Sequence, residues 1–301
     1  MRAVSIAIVG ALLVTCGSRR SAFEGLPKGG EPYAHCTDRV ERDLAYGPSS
    51  EQRIDLFVPR AAAPAPVVVW LHPGGWAGGD RKDVRRWALR QVCRGYAVAT
   101  LGYRLSERAT FPAQIEDVHA ALRDLHDRAG TLGIDGARIV VWGASAGGHL
   151  AALAGARSTP PAWGTEPPLR GVITWWAPVD FTTMDAELAH HDCPHADCHT
   201  CPGSPESRLL GRTVRDDPEA ARRASPLAYL RATDPPFLVM HGSADCTVPV
   251  EQSNELADRL EALGVSVEHV VVDGAMHGDH RWSSRRASDA VDRFLDARLA
   301  P

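Results

Sequence analysis

The sequence predicts an α/β protein whose mostly parallel sheet is covered on both faces by helices. Two observations favour this fold class. Short apolar runs alternate with segments of helical spacing along most of the 301 residues, which is typical of parallel sheets. The run at 67–71 (VVVWL) is continuously apolar, as expected for a strand buried on both faces. Hydrophobic residues make up 44% of the chain, which is enough for a large core.

The predicted elements follow one another in a regular order. Segments 40–45 and 54–58 are short strands separated by the turn G47-P-S-S50, which predicts an antiparallel pair at the sheet edge. Further strands are predicted at 67–71, 97–101, 139–142, 172–175, 237–240 and 267–272, and helices at 81–94, 112–129, 145–157, 251–263 and 283–299. Pro112 suits the start of a helix, where its missing N–H does no harm, and Gly264 is typical of a helix end.

One segment, residues 182–224, breaks this alternation. It lies between two predicted strands and holds three cysteines and four histidines. Ligands bind open parallel sheets at the carboxyl ends of the strands. We therefore expect this insertion to lie over a ligand site that is built from the residues just after each strand.

The first residues have the pattern of an export signal. The positively charged Arg2 is followed by an apolar run at 3–15 that is too short to span a bilayer. The run ends in L13-V-T-C16, which resembles the lipobox of bacterial lipoproteins and implies membrane attachment through a lipidated Cys16. A plain secretory signal is the alternative. We expect a signal at 1–16, a linker at 17–35, a folded domain at 36–301, and an exported protein, either secreted or in the cell envelope.

Export favours disulfides among the six cysteines that remain. Six cysteines allow 15 pairings, and the sequence cannot choose among them. For Cys93, a buried thiol is the alternative interpretation. The cysteines of the insertion, together with its histidines, have the ligand types of a zinc site. They form one crowded stretch instead of two paired clusters, so disulfides are favoured and no metal is predicted. The six residues are Cys36, Cys93, Cys193, Cys198, Cys201 and Cys246.

The segment V141-W-G-A-S-A-G-G-H-L150 places one serine among small residues. Residues 143–147 match the pattern G-x-S-x-G directly after a predicted strand and before a predicted helix, which is the context of a nucleophile on a sharp turn. Ser145 is therefore the predicted nucleophile. The alternative is that Ser145 is only a helix N-cap, a position where serine is favoured.

A serine nucleophile needs a base, and the base needs a carboxylate to orient it. His277 lies in the small-residue loop GAMHG after the last predicted strand, with His280 as its near competitor. Asp245 follows the strand at 237–240, whereas the rival Asp273 lies in the loop of the histidine itself. Ser145, Asp245 and His277 are therefore the predicted catalytic residues.

The glycine turn after the first parallel strand, HPGGW at 72–76, is the predicted oxyanion hole. Gly74 and Gly75 can donate backbone N–H groups, whereas Pro73 cannot. Ala146, the residue after the nucleophile, should supply another donor. Each such donor is worth roughly 3 kcal/mol in the transition state.

Tryptophans near the predicted strand ends suggest a substrate pocket. Trp76 adjoins the oxyanion turn, and Trp175 and Trp176 end a strand. We predict that all three line the pocket, with burial in the core as the alternative. The net charge is −4 and no basic block is present, so the sequence gives no reason to expect nucleic-acid binding. It indicates no cofactor and does not indicate an oligomeric state.

Together these motifs resemble the α/β-hydrolase carboxylesterases with an HGGGW-type oxyanion loop, which include hormone-sensitive-lipase-like, acetyl-xylan and feruloyl esterases. The resemblance implies an α/β-hydrolase catalytic domain at 36–301 with 182–224 as a cap-like insertion. It also implies ester hydrolysis through a Ser-His-Asp triad on short-chain acyl or carbohydrate esters, and a loop-orienting role for His72. The matching segments are HPGGW from His72, GASAGGHLA from Gly143, SPESRLLG from Ser204, HGSADCTVPVEQS from His241 and GAMHG from Gly274.

Two alternative functions remain open at this point. A peptidase of the prolyl-oligopeptidase type has the same order of triad residues, although such enzymes usually carry a large domain before the catalytic one, and only a short segment precedes the glycine turn here. A non-catalytic binding protein on a hydrolase scaffold would be favoured by a missing triad residue, and none is missing. One of the cysteines of the insertion could pair with Cys246 and so tie the insertion to the loop of Asp245.

Overall fold

A computed structural model describes residues 31–60, 64–82, 86–165, 167–194 and 197–300. The predicted signal at 1–16, with Cys16, and the linker up to residue 30 lie outside the described residues. The end of the predicted linker belongs to a 3-10 helix at Glu31–Cys36. None of the helices in the described ranges is long and apolar enough to cross a membrane.

Eight strands form one sheet, in which only the second strand of the chain runs opposite to the others; it pairs antiparallel with both of its neighbours, and all other pairs are parallel. In chain order the strands are β1 Thr37–Ala45, β2 Arg53–Pro59, β3 Ala65–Leu71, β4 Ala97–Leu101, β5 Ile134–Ala144, β6 Gly171–Trp175, β7 Phe237–Gly242 and β8 Val267–Val272. Their order across the sheet is β1-β2-β4-β3-β5-β6-β7-β8. The predicted α/β class, the mostly parallel sheet and the antiparallel edge pair are confirmed.

Helices cover both faces of this sheet. They are α1 Arg86–Leu89, α2 Ala113–Asp127, α3 Ala129–Leu132, α4 Ala146–Gly155, α5 Met184–Leu188, α6 Pro205–Leu210, α7 Pro218–Ala224, α8 Glu251–Ala262 and α9 Arg285–Leu299. Short 3-10 helices lie at Arg90–Arg94, Pro161–Trp163, Pro226–Ala228 and His280–Ser283. Most predicted helices are therefore present, with ends that differ by one or two residues.

The helix predicted at 81–94 is an exception, because it is reduced to α1 and the 3-10 helix that follows it. Arg81 lies in a turn, and its buried guanidinium contacts Asp43 and Asp55. Buried charges require such partners, so Arg81 is held against the sheet instead of starting a helix.

The core consists of two apolar layers, one on each side of the sheet. Strand β3 shows why, because its alternate residues enter different layers: Val67, Val69 and Leu71 belong to one cluster, and Val68 and Trp70 to the other. Successive side chains of a strand point to opposite faces. A continuous apolar run is therefore what a central strand buried on both faces requires.

Residues 182–224 form the insertion and contain α5, α6 and α7. The structure pairs all six cysteines outside residue 16 as disulfides: Cys36–Cys93, Cys193–Cys246 and Cys198–Cys201. The prediction of disulfides is confirmed, and the interpretation of Cys93 as a free buried thiol is wrong. Among the described residues, His35, Cys36 and Cys93 bring three atoms of metal-ligand type close together. The two sulfurs are bonded to each other in a disulfide, so they are not thiolate ligands.

Candidate active site

Ser145 occupies a sharp turn between the end of β5 and the start of α4. Its backbone has φ 54° and ψ −123°, a conformation that costs a non-glycine residue about 1–3 kcal/mol. The small neighbours make this turn possible: a Cβ at Gly143 would lie 2.0 Å from the carbonyl oxygen of Gly147, and a Cβ at Gly147 would lie 2.2 Å from that of Leu71. The backbone therefore presents the serine side chain at the carboxyl end of the central strands.

The structure brings together the three side chains that the sequence analysis singled out. Ser145 Oγ lies 3.0 Å from Nε2 of His277, and His277 Nδ1 lies 2.8 Å from Oδ2 of Asp245. Ser145 makes no capping hydrogen bond to α4 through its side chain, which argues against the N-cap alternative. The rival acid Asp273 is exposed and accepts a hydrogen bond from the hydroxyl of Ser243 instead.

Asp245 is buried and held by its own loop. Its Oδ1 accepts hydrogen bonds from the backbone N–H groups of Thr247, at 2.9 Å, and Val248, at 3.0 Å. Burial alone would raise the pKa of Asp245, but the hydrogen bonds and charges of His277 and His241 outweigh it and hold the pKa well below its usual range. Asp245 is therefore a carboxylate at neutral pH. As an acceptor it keeps the proton of His277 on Nδ1, so Nε2 is the nitrogen that can accept a proton from Ser145.

A second histidine, which the sequence analysis did not assign to the site, supports the acid. His241 is the second-to-last residue of β7 and is completely buried. Its Nε2 lies 2.9 Å from the carbonyl oxygen of Val248 and 3.4 Å from Oδ2 of Asp245, while Nδ1 contacts the hydroxyl of Ser253. Because a carbonyl only accepts, Nε2 of His241 carries a proton that also points toward the carboxylate. Its position four residues before the acid is the signal that could have identified it.

The glycine turn at 72–79 is built on close backbone contacts. A Cβ at Gly74, where φ is +135°, would lie 2.2 Å from the carbonyl oxygen of Gly78. His72 lies beneath the turn, where its ring stacks on Tyr103 with centroids 4.3 Å apart and its Nδ1 lies 2.9 Å from the carbonyl oxygen of Pro73. The hydroxyl of Tyr103 donates to the carbonyl oxygen of His72 at 2.9 Å. Buried there, His72 supports the turn, as the resemblance implies.

A cavity of about 710 Å³ opens above Ser145 and His277. Gly74 and Gly75 line it on one side. Ala146 is the first residue of α4, so its N–H has no carbonyl partner within the helix. Gly74 and Gly75 thus line the same cavity as Ser145, and Ala146 follows the serine directly at the start of α4.

The insertion lines a large part of this cavity, as expected from its position in the sequence. Its lining residues run from Asp197 to Arg208 and include the disulfide-bonded Cys198 and Cys201. The disulfide between Cys193 and Cys246 joins the insertion to the residue directly after Asp245. This is the link to the acid loop that the sequence allowed without specifying which cysteine makes it.

Two of the three tryptophans predicted to line the pocket do not do so. Trp175 and Trp176 are buried in the core, and neither is among the lining residues. Trp175 ends the central strand β6 and belongs to the core layer that also contains Trp142 and Trp282, whose rings it contacts. Trp176 lies beneath His277, with ring centroids 5.8 Å apart. Only Trp76 contributes to the cavity wall.

Comparisons with known proteins agree with this fold. Residues 54–260 match the family model BD-FAE. Esterase LipC of Mycobacterium tuberculosis is 31% identical over 248 residues, which cover 79% of this chain and 59% of LipC. Esterase LipQ of the same organism is 29% identical over 92% of this chain and 67% of LipQ. The chain thus spans about 60% to two thirds of the length of these curated relatives.

A truncated carbohydrate esterase from gut microbiota has the same fold. It superposes with a TM-score of 0.79 and 23% identity over 88% of this chain and 98% of that chain. At this identity the likeness shows the fold alone. Because the family match covers most of the chain and the eight-stranded sheet carries the serine turn at its centre, the chain belongs to the BD-FAE family and has the α/β-hydrolase fold.

Proposed function

We propose that this protein is a serine carboxylesterase that works through an acyl-enzyme. One observation carries the proposal: His277 contacts the hydroxyl of Ser145 through one ring nitrogen and the buried carboxylate of Asp245 through the other. This is the arrangement that converts a weak serine nucleophile into an effective one. The esterase relatives LipC and LipQ support the same chemistry.

The reaction follows from the positions of these groups. Nε2 of His277 takes the proton of Ser145 Oγ as this oxygen attacks the carbonyl carbon of the ester. The imidazolium that forms is stabilised by the carboxylate of Asp245. His277 then gives the proton to the leaving alcohol, and the acyl group remains on Ser145. A water molecule, deprotonated by the same nitrogen, hydrolyses the acyl-enzyme and restores the free serine.

The tetrahedral intermediates of both steps carry an oxyanion. In the proposed mechanism the backbone N–H groups of Gly74, Gly75 and Ala146 stabilise this charge. These groups belong to a turn and a helix start that are already formed, so little reorganisation accompanies the reaction. No step of the mechanism uses a cofactor or a metal.

The proposed substrates are short-chain acyl esters or esters of carbohydrates. The resemblance of the sequence motifs to those of acetyl-xylan and feruloyl esterases supports this choice. A cavity of about 710 Å³ lies within the range of small-molecule sites. A screen across acyl chain lengths, with acetylated and feruloylated xylan included, would define the preference.

Covalent labelling tests the proposed nucleophile. A fluorophosphonate probe should label the wild-type protein and fail to label Ser145→Ala, while the exposed control Ser50→Ala is labelled like the wild type. Hydrolysis of p-nitrophenyl acetate should be lost in the same variant. Faster cleavage of a peptide anilide than of the ester would favour a peptidase, and absence of labelling in the wild type would refute a serine hydrolase.

We also propose that the protein is exported and that Cys16 attaches it to a membrane. The three disulfides support an oxidising compartment. Cell fractionation should recover the wild type with membranes and Cys16→Ala in a soluble fraction. Recovery of the wild type from the cytoplasm would contradict export.

A further inference from the structure

An arginine of the insertion lines the cavity above Ser145 and His277, outside the triad. Arg208 belongs to α6 and is exposed. Among the described residues of the cavity wall it is the one arginine or lysine. An arginine keeps its positive charge at any pH at which a protein is folded, and the mechanism proposed above makes no use of this charge.

The guanidinium of Arg208 forms no ion pair and no hydrogen bond with any residue that the structure describes. The next two arginines of the insertion are bound to neighbours. Arg212 lies 2.6 Å from Oδ2 of Asp217, and Arg215 donates to the hydroxyl of Thr200 at 3.3 Å. The N–H donors of Arg208 are instead available to a molecule that enters the cavity.

Two carboxylates also belong to the cavity wall, and neither forms an ion pair with Arg208. Glu206 is only 4% exposed, and its Oε1 lies 3.0 Å from Nδ1 of His199. Burial alone lowers the pKa of His199, but the carboxylates of Glu206, Asp185 and Asp197 outweigh it and raise the pKa. Both carboxylates of the wall therefore act on the histidine, and the charge of Arg208 is left for a ligand.

The backbone of Arg208 is fixed by the residues on either side of it. Ser207 and Leu209 are both buried. The hydroxyl of Ser207 donates to the carbonyl oxygen of Cys201 at 2.8 Å. The carbonyl oxygen of Leu209 accepts the N–H of Phe111 at 2.8 Å. Only the side chain of Arg208 has to be ordered when a ligand binds, as suits a binding group carried on a fixed element.

Helix α6 places Arg208 close to the oxyanion turn. Pro205, the first residue of α6, packs on that turn: a Cβ at Gly75 would lie 3.2 Å from Cβ of Pro205. Residues three apart share one face of a helix, with Cβ atoms about 5–6 Å apart. Arg208 follows Pro205 by three positions, so its side chain begins on the face of α6 that meets the turn. A group a few bonds away from the ester carbonyl would therefore lie within reach of the guanidinium.

A carboxylate is the group that fits this arginine. The planar guanidinium presents paired N–H donors that match both oxygens of a carboxylate, and such charge-assisted pairs are stronger than neutral hydrogen bonds. We propose that Arg208 forms a specificity subsite that binds a carboxylate group of the substrate, so that the enzyme favours esters that also carry a carboxylate over neutral esters of the same shape. This inference rests on the esterase function proposed above. It assigns a substrate-selecting role to the insertion and leaves bond cleavage to the triad.

Two pairs of esters provide the test, and in each pair a carboxylate replaces an isopropyl group of similar shape. Monoethyl succinate and ethyl isocaproate differ in the acyl part, whereas γ-acetoxybutyrate and isohexyl acetate differ in the alcohol part. Titration of the released acid gives kcat/KM for each ester in the wild type, Arg208→Gln, Arg208→Lys and the control Arg212→Gln, an exposed arginine of the same insertion. The ratio of charged to neutral ester within one preparation does not depend on how much of the protein is folded.

Arg208→Gln should lower the ratio of charged to neutral ester about fivefold to thirtyfold in at least one pair, which identifies the part of the substrate that carries the carboxylate. This loss lies between that of an exposed ion pair and that of a hydrogen bond to a buried charged group. Arg208→Lys keeps the charge without the paired donors and should lie between, and Arg212→Gln should equal the wild type. In the wild type the same ratio should fall as the ionic strength rises.

Ratios that are unchanged in Arg208→Gln for both pairs, or an equal loss on both esters of each pair, would overturn the subsite and leave the esterase function intact. The same conclusion would follow if the wild type cleaved p-nitrophenyl acetate but neither charged ester. If Arg208→Gln does not accumulate, the ratios for Arg208→Lys and the salt dependence of the wild type decide. A wild type that hydrolyses neither these esters nor p-nitrophenyl acetate would overturn both proposals.

Discussion

Replacing Asp245 with asparagine should lower kcat about ten-thousandfold without unfolding the protein. Asparagine has the shape of aspartate, but one of its terminal atoms donates instead of accepting. The structure decides which atom this is. Oδ1 of Asp245 accepts the N–H groups of Thr247 and Val248 at 2.9 and 3.0 Å, so the amide oxygen has to face these two donors and the amide nitrogen has to face His277.

The imidazole must then change its tautomer. Nδ1 of His277, which lies 2.8 Å from the second carboxylate oxygen, can only accept from an amide NH₂ group, so its proton moves to Nε2. That nitrogen lies 3.0 Å from Ser145 Oγ and can no longer take the serine proton. A wrong tautomer in a Ser-His-Asp triad costs about 10⁴ in kcat, which corresponds to about 5.5 kcal/mol of transition-state stabilisation.

The assay is the hydrolysis of p-nitrophenyl acetate at saturating concentration, with circular dichroism to verify the fold. Asp273→Asn is the matched control, because Asp273 is an exposed carboxylate in the loop of the histidine. It should retain the wild-type kcat. The reasoning would be refuted if Asp245→Asn kept more than about a tenth of the wild-type kcat, or if Asp273→Asn lost as much.

Three further predictions concern the surroundings of the triad. Cys193→Ser opens the disulfide to Cys246, whose sequence separation is 53, and should lower the free energy of unfolding in urea by about 4 kcal/mol on the chain-entropy relation. Gly147→Ala places a Cβ 2.2 Å from a backbone carbonyl oxygen and should cost about 1–3 kcal/mol and most of the esterase activity, whereas Gly130→Ala, which meets open space, should change neither. Burial lowers the pKa of His149 from 6.5 to about 4, so the unfolded chain binds more protons between these values. Stability should fall as the pH decreases through this window, by on the order of 3 kcal/mol for this group, and less steeply in His149→Phe.

Each of these predictions can be contradicted by a simple result. For the disulfide, it would be an unfolding midpoint in urea that is the same with and without a reductant. For the serine turn, it would be a Gly147→Ala variant as active and stable as Gly130→Ala. For the buried histidine, it would be a free energy of unfolding that stays constant from about pH 7 to about pH 4.5, or one whose slope is unchanged in His149→Phe.

Local signals were enough for the residues whose role depends on their immediate neighbours. Ser145 could be found because a sharp strand-to-helix turn needs small residues on both sides, and these stand next to it in the chain. Gly74 and Gly75 follow the first parallel strand for a similar reason. The order of strands and helices could be predicted because the period of apolar residues is a local property of the sequence.

Other features depend on contacts between distant segments, and local patterns do not record them. Trp175 and Trp176 stand at a strand end, but which face of the sheet they enter is set by the packing of Trp142 and Trp282 around them. The helix predicted to begin at residue 81 does not include that residue, because Arg81 binds Asp55, which lies 26 residues earlier in the chain.

The sequence by itself determined the fold class, the candidate nucleophile and its two partners, because each follows from short motifs and their order along the chain. Only the tertiary structure decided which cysteines pair, that His241 supports the acid, and that Arg208 lines the cavity above the triad. The physical reason is that hydrogen bonds, disulfides and burial act across space, whereas apolar periodicity and turn chemistry act along the chain.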